Sequence, residues 1–131
     1  MSKSKFYKLS FTWGLPLSLL GVIVCGALMI AGYRPKRYGH CYYIAIGKAW
    51  GGLEFGWFFL VDKREPEYLK NHELGHGYQN TRYGPGMLIL WLIAAVRYWL
   101  QRCGVALEYY GWRFESEATE IGYKVMKGWQ V

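Results

Sequence analysis

His72-Glu73-Leu74-Gly75-His76 sets two imidazoles four residues apart, with a carboxylate directly after the first. In a helix, positions i and i+4 lie on one face, so both rings reach a single metal ion. Neutral imidazole nitrogen suits zinc at about 2.0–2.1 Å. Glu73 then stands beside the ion without binding it, close enough to take a proton from water that the metal activates. The chemistry of this spacing is metal-assisted hydrolysis, with His72 and His76 as ligands and Glu73 as general base. The chain has only 3 His in 131 residues, so chance is a poor explanation for the pattern. Gly75 and Gly77 each cost a helix about 0.8–1 kcal/mol relative to Ala. Gly75 lies between the two His on their own face and lets another backbone or a substrate come close. For Gly77 the alternative is a locally weak helix.

A zinc site needs a third protein ligand, and catalysis needs an open fourth position. The candidates are His40, the cysteines and the acids near the C-terminus. His40, set among Gly39, Cys41 and Tyr42, reads as an ordinary polar contact. Cys25, Cys41 and Cys103 show no CxxC spacing and give no metal framework. Residues 108–127 read as a helix. Glu115, Ala118, Thr119 and Gly122 form one stripe on it, small apart from the carboxylate, so that face packs tightly against another helix. Arg113/Glu117 and Glu120/Lys124 are spaced as solvated charge pairs on the opposite face. Glu115 is therefore the acid that points inward, and it is chosen as third ligand.

Other elements must position these groups. A helix from about Pro66 to Tyr83 carries the two His; Pro66 suits an early helical position, and Glu65 and Glu67 suit the N-terminus. Upstream, Cys41 to Ile46 and the aromatic-rich Leu53 to Val61 read as a short β-ribbon turning at Gly51-Gly52. Between the two site helices, the charge-free stretch 83–96 is short for a membrane span and reads as a buried or re-entrant helix. Arg97 interrupts it. Arg97 either snorkels beside Tyr98 and Trp99 or faces the site to steady a substrate carboxylate or oxyanion. Tyr78, Tyr109, Tyr110 and Tyr123 are further candidate donors.

The composition is 53% hydrophobic, 19% aromatic and 19% charged, which suits one compact domain and excludes a disordered chain. The net charge of +7 is unevenly placed. Every charge in residues 1–40 is cationic: Lys3, Lys5, Lys8, Arg34, Lys36 and Arg37. These cations bracket the apolar run Leu9 to Tyr33, as membrane-flanking charges do, which argues against a nucleic-acid partner. The run reads as one N-terminal transmembrane helix, with Pro16 in its first turn and Trp13 and Tyr33 near its ends. A cleaved signal peptide is the alternative. The expected organisation is a membrane anchor over 1–33 and a metal-binding domain over 34–131, with an apolar re-entrant or membrane-contacting helix near 85–102.

His72-Glu73-Leu74-Gly75-His76, then Gln79, Gly84-Pro85 and Phe114-Glu115-Ser116-Glu117-Ala118-Thr119 resemble a group of small, mostly uncharacterised bacterial membrane-associated zincin-like proteins. Those proteins show HExGHxxQ, a Gly-Pro after the helix, an apolar segment and a downstream Glu-x-x-Ala-[Asp/Thr]-x-x-Gly helix. The resemblance covers residues 45–123. It implies a gluzincin-type zinc site with His72, His76 and Glu115 as ligands, Glu73 as base, and a bacterial inner-membrane location. Gluzincins usually place an Asp four residues after the ligand Glu, where it supports a metal-binding His. Here that position is Thr119, whose hydroxyl accepts an imidazole N–H but adds no charge. Thr119, Arg97 and Gln79 are the supporting or substrate-facing candidates.

The expectation is an α+β protein of minimal zincin type that hydrolyses peptide bonds, with zinc as cofactor. A peptide or protein substrate would lie along the β-ribbon, and membrane lipid is the second partner. Two alternatives stand beside it. One is a non-catalytic zinc-binding membrane protein, favoured by Thr119. The other is a metal-free membrane interaction protein built on the loose small-residue pattern of Gly21 and Cys25-Gly26.

Overall fold

A computed structural model describes residues 2–104 and 113–128. The order is α1 (Lys3–Ser10), α2 (Leu15–Ile30), β1 (Lys36–Tyr38), β2 (Cys41–Ala45), β3 (Gly52–Phe55), β4 (Phe58–Val61), α3 (Glu67–Tyr83), α4 (Gly86–Arg102) and α5 (Arg113–Met126). The fold is mixed α+β, as expected. The strands form one sheet in the order β1-β2-β4-β3.

The sheet corrects the expected ribbon. The stretch 53–61 is not one strand; it folds back at Gly56-Trp57, so that β3 pairs antiparallel with β4. Gly56 holds φ +77°, and a Cβ there would stand 2.6 Å from Ser18 Oγ. A run of aromatics around one Gly carries little turn signal, and the close packing that demands the Gly comes from a distant helix. β2 then pairs parallel with β4, from Tyr42 beside Phe58 to Ala45 beside Val61. Gly51-Gly52 is no hairpin turn but the entry to β3, tied to Asp62, whose carboxylate accepts from Gly51 N–H at 3.1 Å. β1, outside the expected ribbon, pairs antiparallel with β2.

The expected N-terminal transmembrane helix is also corrected. The apolar run is two helices bent by 96°, and no single helix among the described residues is long and apolar enough to cross a membrane; the bent pair passes by length and composition only. The break at residues 11–14 has a tertiary cause. Asn80 Nδ2 on α3 donates to Gly14 O at 3.2 Å and to Ser18 Oγ at 3.1 Å. A Cβ on Gly14 would lie 2.5 Å from that nitrogen. One face of α2 (Leu17, Ser18, Gly21, Cys25) is buried, while Leu19, Val22, Ile23 and Ile30 are exposed.

The main core lies between the sheet and α3. Phe6, Cys41, Phe59, Val61, Leu74 and Tyr78 are buried there together. Each large apolar side chain fully buried contributes about 1.5–3 kcal/mol, so this layer holds α3 firmly against the strands. Gly77 is explained by the same contact: a Cβ on it would stand 2.7 Å from Gly56 O. α3 begins within a residue of its expected start and ends at Gly84, which takes φ +60°. α4 follows at once, with only Met87 buried. Its outer face exposes Ile89, Leu92, Ile93, Val96 and Trp99. The expected helix over 108–127 is present as α5; residues 108–112, with Tyr109 and Tyr110, lie outside the described residues.

Candidate metal centre

Two glycines set the distance between α3 and α5. A Cβ on Gly75 would lie 1.8 Å from Ala118 O, and a Cβ on Gly122 would lie 1.8 Å from Asn71 O. Each helix therefore offers a bare backbone where the other presses closest. The expectation that Gly75 admits another backbone is met, and the backbone is that of the Glu115 helix.

This approach brings the three expected ligands together. His72 Nε2 lies 2.8 Å from Glu115 Oε2. His76 Nε2 lies 3.1 Å from His72 Nε2 and 3.3 Å from Glu115 Oε2. All three residues are buried. Among the described residues they form a group able to hold a metal ion. Bonds of about 2.0–2.2 Å in a tetrahedron put neighbouring ligand atoms about 3.3 Å apart, so the spacing needs little adjustment to fit.

Hydrogen bonds behind the rings fix their protons. Gln79 Nε2 donates to Phe114 O and to Glu117 Oε1, both at 2.9 Å. Its Oε1 is thereby turned to His76 Nδ1, 2.7 Å away, and accepts that N–H. The Thr119 hydroxyl donates to Glu115 O at 3.3 Å, leaving Oγ1 to accept from His72 Nδ1 at 2.7 Å. In the neutral rings, both Nε2 atoms then carry lone pairs. Two nitrogen lone pairs and a carboxylate oxygen face one another at hydrogen-bond distance. Only a cation between them, metal or proton, relieves that repulsion. Burial pushes the Glu115 carboxyl up; protons shared with it by His72 and His76 outweigh that and hold it well below the usual carboxylate range, the place a metal cation would take when the rings are neutral.

Glu73 is buried beside the group. Burial pushes its carboxyl up to about 8, with His72 pulling it down and Glu115 pushing it further up. Gly52 stands against it: a Cβ on Gly52 would lie 3.1 Å from Glu73 Oε1. A cavity of about 240 Å³ opens next to Glu73, His76 and Glu115, walled by Trp50, Leu53, Met87, Trp91 and Phe114 among others. A second of about 370 Å³ lies on the His72 side, bordered by Tyr68, Tyr98, Gln101 and Thr119.

The structure revises several neighbouring assignments. Glu117, read as a solvated charge, accepts hydrogen bonds from Gln79 and from Tyr83 (2.7 Å) and pairs with Arg82 at 3.7 Å. It anchors the amide that orients His76. Glu120 and Lys124 do form the expected exposed pair, at 3.0 Å. His40 lies away from the group, its ring beside Phe6 and Tyr78. Arg97 is half-buried on α4 and borders neither cavity. Tyr78 is in the core and Tyr123 is exposed, so neither faces the site. Tyr98 on α4 and Glu54 on β3 do border it and were not singled out in the sequence; the one available signal for Glu54 is a lone acid in an otherwise apolar strand.

α4 also covers the free edge of β3. Trp91 Nε1 donates to Glu54 O, and the Tyr98 hydroxyl donates to Trp50 O. An extended substrate along that edge would meet carbonyls already occupied. No protein-family model, no curated protein and no solved structure matches the chain.

Proposed function

We propose that the protein is a membrane-associated zinc metallopeptidase of minimal zincin-like, gluzincin type. One observation carries this reading: three electron-pair donors from two helices converge, with their outward N–H groups already engaged by Gln79 and Thr119. Two imidazoles and one carboxylate are a donor set that suits zinc and leaves a fourth position open. Zinc held there supplies a Lewis acid that polarises a carbonyl and lowers the pKa of water.

The chain's own residues then have distinct roles. His72, His76 and Glu115 hold the ion, and Thr119 and Gln79 orient the two rings. Glu73 neighbours the ligands without joining them, in the position of a group that accepts a proton from water and returns it to a leaving amine. Burial pushes its carboxyl up to about 8, and a cation held by the three ligands would favour the ionised form. The cavity beside these groups has largely apolar walls. The exposed apolar faces of α2 and α4, with the cations of residues 1–40, support contact with an anionic membrane surface.

The test is Glu73→Gln. The variant is expected to keep zinc and lose hydrolysis of unstructured peptide substrates; unchanged turnover contradicts the role of Glu73. A metal-binding module without turnover is the second reading, favoured by the covered edge of β3. Zinc binding at full stoichiometry with no cleavage of any peptide in a broad mixture selects it.

A further inference from the structure

Glu54 has no part in the proposed chemistry, and its setting is unusual. It is 2% exposed, and neither carboxylate oxygen has a hydrogen-bond partner. The nearby backbone N–H groups of Gly56 and Phe55 favour its charged form without reaching hydrogen-bond geometry. It borders the cavity that Glu73, His76 and Glu115 also border. Residues alternate across a strand, so Glu54 shares its face with Gly52, and Gly52 stands against Glu73. A buried carboxyl without a partner is destabilising, and an apolar residue would fill the position without that penalty.

The cavity bordered by Glu54 has a definite character. Its walls are largely apolar, with Trp50, Leu53, Met87, Trp91 and Phe114. Its charged or ionisable groups are three acids, one imidazole and the Tyr98 phenol, with no Lys or Arg. Glu115 and His76 are committed to the metal group, which leaves Glu73 and Glu54 as the remaining acids of the cavity wall, the Glu54 oxygens lying just beneath its surface. An anion would find no cation other than the metal. A purely apolar guest would leave Glu54 unpaired. A second metal ion is not supported either, because the group of converging ligands among the described residues includes only His72, His76 and Glu115. Because α4 occupies carbonyls on the β3 edge, recognition falls to this side pocket rather than to main-chain pairing.

We propose that this cavity is the specificity pocket for a primary amine carried on an apolar stem, a lysine-like side chain of the substrate, with Glu54 as its counter-charge. The stem lies against the Trp and Met walls, and the ammonium donates to the unpaired carboxylate. Burial, then the neighbouring Glu73, push the empty carboxyl well above the usual range; an arriving cation draws it back to the charged form. That the guest belongs to a substrate rests on the peptidase reading; the amine preference itself does not.

The experiment uses the zinc-loaded full chain and calorimetry with n-pentylamine against its uncharged counterpart n-pentanol. The amine is expected to bind at least about tenfold more tightly. Glu54→Gln is expected to erase that preference while leaving zinc content and pentanol affinity unchanged. Equal affinity for the two probes in the wild type overturns the proposal. So does a preference that survives in Glu54→Gln, since the amine would then be reading Glu73 or the metal. Ala94→Phe, which fills the pocket from α4, gives an independent arm: both probes should lose binding, and unchanged binding overturns the assignment. Peptides differing only as lysine or norleucine at one position separate the two readings. Cleavage without lysine preference sinks the pocket and keeps the peptidase. Amine preference without any cleavage sinks the peptidase and keeps the pocket.

Discussion

Gly75→Ala is a single-methyl perturbation with opposite expectations from local and tertiary physics. In an unobstructed helix it stabilises by about 0.8–1 kcal/mol, because Ala is the better helix former. At residue 75 the new methyl would sit 1.8 Å from Ala118 O and 2.6 Å from Ala118 C, where ordinary contact begins at 3.4 Å. The obstacle is backbone, so no rotamer change absorbs it, and α5 must retreat by about 1.6 Å to restore van der Waals contact. Glu115 lies one turn before Ala118 on that helix and moves with it. A metal site tolerates bond-length changes of about ±0.2 Å, so the carboxylate leaves ligand range. Overpacking of this kind costs about 1–3 kcal/mol, which outweighs the gain in propensity. The expected result is a net loss of stability in guanidinium unfolding and at least a tenfold loss of zinc affinity in competition with a chelator. Gly26→Ala is the control. Gly26 lies within α2, a Cβ there meets nothing within 4 Å, and that variant should gain stability at unchanged zinc affinity. A Gly75→Ala protein that is more stable and binds zinc as tightly as wild type would refute the close helix contact as the device that sets the site.

Three further predictions follow from the same geometry. Gln79→Leu removes the acceptor of His76 Nδ1–H and is expected to lower zinc affinity about 10–100-fold, whereas Thr119→Ser keeps the acceptor of His72 and should stay near wild type; titration with a zinc-sensitive dye distinguishes them. Glu54 has a folded pKa raised by burial, so its contribution to stability is complete below its unfolded value, near 4.5, and is lost as pH rises toward the folded pKa. Metal-free Glu54→Gln should therefore gain stability over wild type at neutral pH and lose that advantage in acid, as read by urea midpoints across pH. Ile23→Lys and Ile93→Lys place charge on the exposed faces of α2 and α4 and should reduce co-sedimentation with anionic vesicles without changing zinc content, whereas undiminished sedimentation would remove those faces as the lipid contact.

The parts of the site that depend on one helix were legible in the sequence. His72 and His76 share a face by spacing alone, and Glu115 stood out because the residues around it on its stripe, Ala118, Thr119 and Gly122, are small. The small stripe also announced a tight helix partner, and Gly75 and Gly122 meet across that contact. What was hidden depended on distant partners. The break between α1 and α2 follows from Asn80 gripping Gly14 and Ser18, more than sixty residues away. Glu117 looked solvated because its helix spacing suits a charge pair, yet Gln79 and Tyr83 on another helix claim it. The β3–β4 turn sits in an apolar run whose only marker is Gly56, and strand order β2-β4-β3 depends on a parallel pairing that no local pattern encodes. Glu54 was visible as a lone acid, but its burial without a partner belongs to the packing of sheet against α3.

Metal stoichiometry by mass spectrometry of the purified chain, with zinc supplied in excess, tests the central assignment most directly. Wild type and Glu117→Ala should each carry one zinc per chain, the latter more weakly held, while Glu115→Ala and His72→Ala should lose it. Wild-type protein that stays metal-free, or Glu115→Ala that holds zinc as tightly as wild type, would contradict the assignment of His72, His76 and Glu115 as one metal centre.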